Sequence, residues 1–281
     1  VVTYILAHRD EDLAALAADI EILDAKVLST LETVHGLVVR QPMSTIEPLA
    51  SDSRVLWIEP GLPQFEELNN SNRVVTQVDE VQAAPYGLDG EGVVVMVYDG
   101  GYGFSGHGDF GGRHTTRDTS GLSNHATHVA GTIGGDGSGS SGLYVGMAPA
   151  VTIESYGFEM EGGLAEGFLY TDPGDLEADY GESINQFGAV IANNSIGTNT
   201  ATNGFPCEWT GDYGVTSSVI DSVVRGDLGG PIRIMWANGN ERQTSRCGDL
   251  YFTTAPPACA KNHITIGALN SNDESMTSFS S

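Results

Sequence analysis

The run Val93-Val94-Val95-Met96-Val97 constrains this chain more than any other stretch. It is apolar without alternation and leads through Tyr98 into Asp99-Gly100-Gly101. A strand exposed on one face alternates apolar with polar residues; an unbroken run marks a strand covered on both faces, as in a parallel sheet between layers of helices. Later segments follow the same plan. Val151–Glu154, Val190–Ala192, Ile232–Trp236 and Ile264–Ala268 read as strands, and Asp175–Phe187 and Val215–Val224 as helices between them. Leu176, Tyr180, Ile184 and Phe187 fall on one face of the first of these helices. Strand–helix alternation predicts an α/β domain, with its site at the carboxyl ends of the strands.

The segment Asn124-His125-Ala126-Thr127-His128-Val129-Ala130-Gly131-Thr132 reads as a helix that begins at or just after His125. Small residues at 130 and 131 permit close packing. A histidine in the first turn of such a helix is rigidly aimed, as general-base chemistry requires. His128 lies on nearly the same face and reads as a packed or hydrogen-bonded companion.

Residues before this domain form a separate pattern. Val1–Leu6 is strand-like, and Asp10 can cap a helix carrying Leu13, Leu16 and Ile20. Ala25–Leu31 and Val34–Arg40 are two strands. Ser44-Thr45-Ile46-Glu47 has the form of a capping box, and Val55–Ile58 is a last strand before Pro60-Gly61. The order βαββαβ predicts a small ferredoxin-like α+β module over residues 1–62. Residues 63–86, mostly polar, read as a linker, and 87–281 as the larger domain.

With 12 basic against 37 acidic residues the formal charge is −25. So acidic a chain lacks the basic patch that nucleic acid or an anionic membrane demands, and no apolar run approaches membrane-spanning length. The three cysteines, Cys207, Cys247 and Cys259, show no CxxC spacing; one disulfide plus one free or externally paired thiol, in an oxidising compartment, is the expected arrangement. His107, His114, His125 and His128 with Asp109 or Asp118 invite a metallohydrolase reading. The HxxH spacing nonetheless lacks the i, i+4 histidines and intervening glutamate of zincin-type sites.

Singly, the polar residues after these strands are ordinary turn residues. Their order is specific: Asp99 after one strand, His125 opening a helix, Asn193-Asn194-Ser195-Ile196-Gly197 after another strand, and Asn240 in Ala-Asn-Gly-Asn after a further one. Together they resemble the subtilisin-like serine peptidases, or subtilases, in which aspartate precedes histidine and histidine precedes serine. Val97–Gly101 resembles the aspartate motif, with Gly100 in place of the usual Ser or Thr. His125–Thr132 matches the histidine motif, with Ala126 in place of glycine, and Gly146-Met147-Ala148-Pro149 resembles the family's Gly-x-Ala-Pro. The 1–62 module resembles the family's propeptide, an intramolecular chaperone and inhibitor.

The resemblance implies a subtilisin-like parallel sheet flanked by helices, hydrolysis of polypeptide substrates, and catalytic roles for Asp99, His125 and Asn240. It implies substrate binding by Ser195, Ile196, Gly197, Gly239 and Pro257. It also suggests secretion or another extracytoplasmic location, autoprocessing from a zymogen, and bound calcium, which the acidic composition would suit, with no ligands assigned. Cys247 and Cys259 flank the implied pocket and are the favoured pair. The family's nucleophile motif, Gly-Thr-Ser-x-Ala, does not occur here. Met276–Ser281 resembles a segment some distance before it, which makes Ser280 and Ser281 poor candidates. The expectation is that the serine is supplied by a C-terminal fragment of the same precursor, on a separate or missing segment. The alternative is a catalytically inactive relative serving as a binding or assembly subunit.

Overall fold

A computed structural model describes residues 1–61, 68–158, 160–161, 170–171, 173–198, 200, 204–244, 247 and 253–281. The chain divides into two compact units, Val1–Glu66 and Glu67–Ser281.

The first unit carries β1 (Val2–Ala7), α1 (Leu13–Ile22), β2 (Lys26–Leu31), β3 (Gly36–Arg40), α2 (Ile46–Ala50) and β4 (Val55–Pro60). Its antiparallel sheet has the order β2-β3-β1-β4. Ile5, Leu37 and Val39 of the strands and Leu16, Ile20 and Leu49 of the helices make its core, each such side chain gaining roughly 1.5–3 kcal/mol on burial. Two local readings are corrected. Asp12 rather than Asp10 caps α1, its Oδ1 accepting from the Ala14 and Ala15 amides at 2.8 and 3.3 Å. The Ser44–Glu47 capping box does not form: a 3-10 turn at Met43–Thr45 precedes α2, and the Thr45 hydroxyl donates backwards to the Pro42 carbonyl at 2.7 Å.

The second unit begins with two short helices, α3 (Leu68–Val75) and α4 (Val78–Gln82), within the stretch read as a linker. Polar composition concealed them because their polar residues serve the backbone elsewhere: the Arg73 guanidinium donates to the Gly146 carbonyl, and Gln82 Nε2 to that of Met147 at 2.9 Å. The sheet comprises β5 (Val94–Asp99), β6 (His114–Thr116), β7 (Thr152–Gly157), β10 (Ile191–Asn194), β11 (Arg233–Ala237) and β12 (Ile264–Ile266), with β8 (Met160–Glu161) and β9 (Tyr170–Thr171) forming a separate antiparallel pair. All six strands run parallel in the order β12-β11-β10-β5-β7-β6.

Helices lie on both faces, as the unbroken apolar run of β5 requires. Val95 and Val97 point to α5 (Asn124–Gly134), in a cluster with Phe110, Ala130 and Ile153. Met96 and Tyr98 point the other way, to α6 (Pro173–Phe187) and α7 (Val215–Arg225), where Leu176, Tyr180, Ile220 and Trp236 are buried. Because neither side of β5 is wet, a charge at Val97 would have no solvent to reach and would break this layer.

Candidate active site

The parallel order brings the carboxyl ends of β5, β10 and β11 side by side, with β10 in the middle. Asp99 is the last residue of β5, Asn194 the last of β10, and Asn240 follows β11 by three residues.

His125 reaches this edge from α5, which starts one residue earlier, at Asn124. Ser123 caps the helix, its hydroxyl oxygen accepting from the Ala126 amide at 3.1 Å. The other end of α5 is held by the Gly-x-Ala-Pro segment, whose amides at 146, 147 and 148 donate to the carbonyls of Gly135, Thr132 and Ile133 at 2.8, 2.9 and 2.7 Å. These are the acceptors a helix terminus otherwise leaves unsatisfied. A Cβ on Gly146 would stand 2.8 Å from the Gly131 carbonyl oxygen, so only glycine fits.

Three hydrogen bonds lock the aspartate arm to the histidine arm. Tyr102 N donates to the Gly121 carbonyl and Ser123 N to the Tyr102 carbonyl, both at 2.9 Å. Phe104 N donates to the Thr127 hydroxyl oxygen at 2.9 Å. Asp118 accepts from Ser120 and from the Gly157 amide, and Gly157 lies opposite Asp99 in the β5–β7 register. Gly101 adopts φ +136°, and a Cβ there would meet the Gly121 carbonyl oxygen at 2.5 Å.

Held in this way, His125 Nδ1 lies 2.7 Å from Asp99 Oδ1. The carboxylate side chain is 1% exposed and the imidazole 59%. An ionised carboxylate only accepts, so Nδ1 carries the proton and Nε2 retains the lone pair. A buried carboxylate behind a solvent-facing imidazole is an arrangement able to take a proton from an incoming hydroxyl and hold the resulting cation. Asp99 Oδ1 also accepts from the Gly100 amide at 2.7 Å. Its Oδ2 is buried with no partner among the described residues, and Gly100, next in the chain, has no side chain to offer one.

On the neighbouring strands, Asn193 Nδ2 donates to the Ser195 hydroxyl oxygen at 2.9 Å; Ile196 packs on the core and Gly197 is exposed. The strip is tied to the next wall by the Thr198 hydroxyl, which donates to the Pro256 carbonyl at 2.7 Å, beside the buried Pro257. Gly239 has φ +109°, a conformation suited to glycine. The next residue, Asn240, is exposed, and its side chain has no hydrogen-bond partner among the described residues. Asn238, two residues earlier, is engaged instead: its Oδ1 accepts from the Thr254 hydroxyl at 2.7 Å and its amide donates to the Ser281 carbonyl.

Other expectations are revised. The disulfide joins Cys207 to Cys247 and leaves Cys259 free, so the Cys247–Cys259 pairing is incorrect. Sequence proximity to the pocket favoured the wrong partner. Cys259 sits on a turn where its thiol donates to the Thr254 carbonyl, and burial raises its pKa. His128 is exposed rather than packed, lining a cavity of about 330 Å³ with His107, Asp109 and Tyr144. His114, in contrast, is buried and stacks on Phe110 with ring centroids 4.7 Å apart. The four histidines therefore do not converge, and among the described residues no group of three or more His, Cys, Asp or Glu is placed to hold a metal ion. No described helix is long and apolar enough to cross a membrane.

The model of the subtilase family of peptidases matches residues 90–281. Among solved structures, fervidolysin from Fervidobacterium pennivorans, a keratinolytic enzyme related to subtilisin, is similar over 100% of this chain and 45% of its own, with a TM-score of 0.52 and 18% identity. A cold-adapted subtilisin-like serine proteinase aligns at 26% identity and TM-score 0.47, covering 69% of this chain and 60% of its own. The prenylagaramide maturation protease PagA aligns at 22% identity and TM-score 0.48, covering 67% and 57%. The chain thus spans about three-fifths of the length of the last two. The parallel sheet with helices on both faces is the subtilisin-like fold.

Proposed function

The chain belongs to the subtilase family, and on that premise we propose that it supplies the aspartate, the histidine and the oxyanion amide of a serine endopeptidase whose nucleophile lies outside residues 1–281. The observation that carries this reading is the 2.7 Å contact between His125 Nδ1 and Asp99 Oδ1, with the rest of the imidazole open to solvent.

In the proposed reaction His125 Nε2 removes the proton of a serine hydroxyl as it attacks the scissile carbonyl, and later returns it to the leaving amine. Asp99 fixes the tautomer and stabilises the imidazolium between these steps. Asn240 donates to the oxyanion of the tetrahedral intermediate; loss of such a donor in subtilisin itself raises the barrier by about 3 kcal/mol. Ser195–Gly197 pairs with the substrate as an added strand, and Gly239 and Pro257 border the pocket for the residue before the cleaved bond. Residues 1–62 act as a propeptide that assists folding and restrains the site until the junction is cut. The Cys207–Cys247 disulfide supports secretion into an oxidising compartment.

The test uses the full-length natural protein. A fluorophosphonate should label one serine, mapped by mass spectrometry to a position beyond residue 281, and His125→Ala should abolish the labelling while leaving the fold intact. A folded full-length protein that, with the junction after residue 62 cut, takes no label and cleaves no peptide refutes the peptidase reading in favour of the inactive, binding-subunit alternative.

A further inference from the structure

Helix α6 holds a residue that none of the roles above uses. Tyr180 is fully buried, facing the carboxyl ends of two strands. Its hydroxyl donates to Asn194 Oδ1 at 2.8 Å, and Asn194 immediately precedes the strip Ser195–Gly197. The other end of that amide donates to the Met235 carbonyl of β11 at 3.0 Å, so the side chain of Asn194, itself 1% exposed, is fixed from both sides. The ring of Tyr180 packs against Tyr98, centroids 5.9 Å apart at an interplanar angle of 53°. Tyr98 immediately precedes Asp99. One phenol therefore bears on the residue before the acid–base pair and on the residue before the substrate strip.

This is an expensive way to fill a core. A Leu or Phe would bury similar area without a hydroxyl that must find a partner, and an amide at 194 needs both its ends satisfied. Burial raises the Tyr180 pKa, and the protonated phenol donates to Asn194. A matched donor and acceptor in the core tie α6 to the last residue of β10, a directional link that apolar contacts would not supply.

We propose that Tyr180 is a positioning residue that, through Asn194, fixes the substrate strip Ser195–Gly197 relative to Asp99 and His125, and so sets how strongly the site prefers extended peptides over short substrates. The proposal rests on the peptidase reading. Removing the hydroxyl leaves the Asn194 carbonyl oxygen buried and unpaired, and the amide then turns or draws the strip out of register. Substrates that lie along the strip lose more than those that reach only the reacting atoms.

The test compares the full-length wild-type enzyme with Tyr180→Phe and with Asn194→Leu. Two substrates are used: a tetrapeptide anilide extending over the strip and a single-residue ester. The ratio of kcat/KM for the extended to the short substrate should fall about tenfold in both variants, and the double variant should lose no more than either alone. Amide hydrogen exchange over residues 194–197 should speed up by about tenfold in Tyr180→Phe, with exchange in β5 unchanged. Equal losses on both substrates, or additive losses in the double variant, overturn the proposal and leave Tyr180 a core residue. So does unchanged exchange at 194–197, whatever the activity. A wild-type enzyme inactive on both substrates and refractory to fluorophosphonate refutes the peptidase reading first, and the positioning role with it.

Discussion

Acid should weaken this protein through His114. The residue is 4% exposed, both ring nitrogens are buried without partners among the described residues, and one face is stacked on Phe110. Burial alone pushes its pKa down from 6.5 to about 4. In the unfolded chain the ring takes up a proton near its ordinary pKa, so between these values the unfolded state binds more protons and stability falls as pH falls. The loss begins near pH 6.5 and is complete near pH 4. At pH 4.5, by the linkage relation, this single group should cost about 2.5 kcal/mol relative to pH 7.5, a substantial part of the roughly 5–15 kcal/mol that holds a domain together. His114→Phe keeps the stack and removes the titration. Urea unfolding of the full chain at pH 7.5 and 4.5 should show a pH-dependent loss about 2.5 kcal/mol smaller in the variant than in the wild type. Any packing penalty of the phenyl ring shifts both measurements equally and cancels in the difference. Equal pH dependence in the two proteins would refute the reasoning, because it would mean that the folded interior accommodates the imidazolium.

Other expectations follow from the same geometry. If Asn240 is the oxyanion donor proposed above, Asn240→Ala in the full-length protein should lower kcat by about 10²–10³-fold with little change in KM, because such a donor meets charge only in the transition state; parallel changes in both constants would contradict that role. Cys207→Ser opens a disulfide whose ends are 40 residues apart and should cost about 4 kcal/mol of unfolding free energy under non-reducing conditions, the chain-entropy value for such a loop. Gly100→Ser should stabilise the fold by about 1 kcal/mol by supplying a donor near the unpartnered Asp99 Oδ2. A Cβ at position 100 meets only Phe158 carbons, at 3.6 and 3.7 Å; a destabilised variant would show that Oδ2 needs no donor.

What the sequence revealed, and what it hid, divides along a physical line. The βαββαβ order and the buried β5 run were readable because hydrophobic period and turn residues are local properties, and the order of Asp99, His125 and Asn240 was readable because a motif fixes its own spacing. Partnerships across the fold were not. Cys207 pairs with Cys247 over 40 residues, and no local spacing favours that over a 12-residue neighbour. Tyr180 looked like one apolar position of an amphipathic helix, and its hydroxyl acquires meaning only beside Asn194. The helices at 68–75 and 78–82 are short and rich in polar residues, and two of these, Arg73 and Gln82, find their partners only in the distant carbonyls of Gly146 and Met147. His114 read as a possible ligand, since nothing in its neighbours announces that β6 turns it inward onto Phe110.

The candidate site is anchored in two halves by separate sets of contacts. One half, β5, β6, β7 and the start of α5, carries Asp99 and His125 and is cross-linked by Tyr102–Gly121, Ser123–Tyr102, Phe104–Thr127 and Asp118–Gly157. His114 belongs here, its Nε2 lying against Gly103 of the aspartate arm. The other half, β10, β11 and the loops beyond, carries Ser195–Gly197 and Asn240. It is bound together by Thr198–Pro256, Gly211–Thr254, Thr254–Asn238 and the Cys207–Cys247 bridge. The halves thus have different weaknesses. Protonation of His114 bears on the half that holds Asp99 and His125, and reduction of the disulfide on the half that holds Asn240. Of the side chains described, Tyr180 touches the residue before the active segment on each side. On the proposed peptidase reading, register between the halves, more than the strength of either, is therefore the quantity on which alignment of a bound peptide would turn.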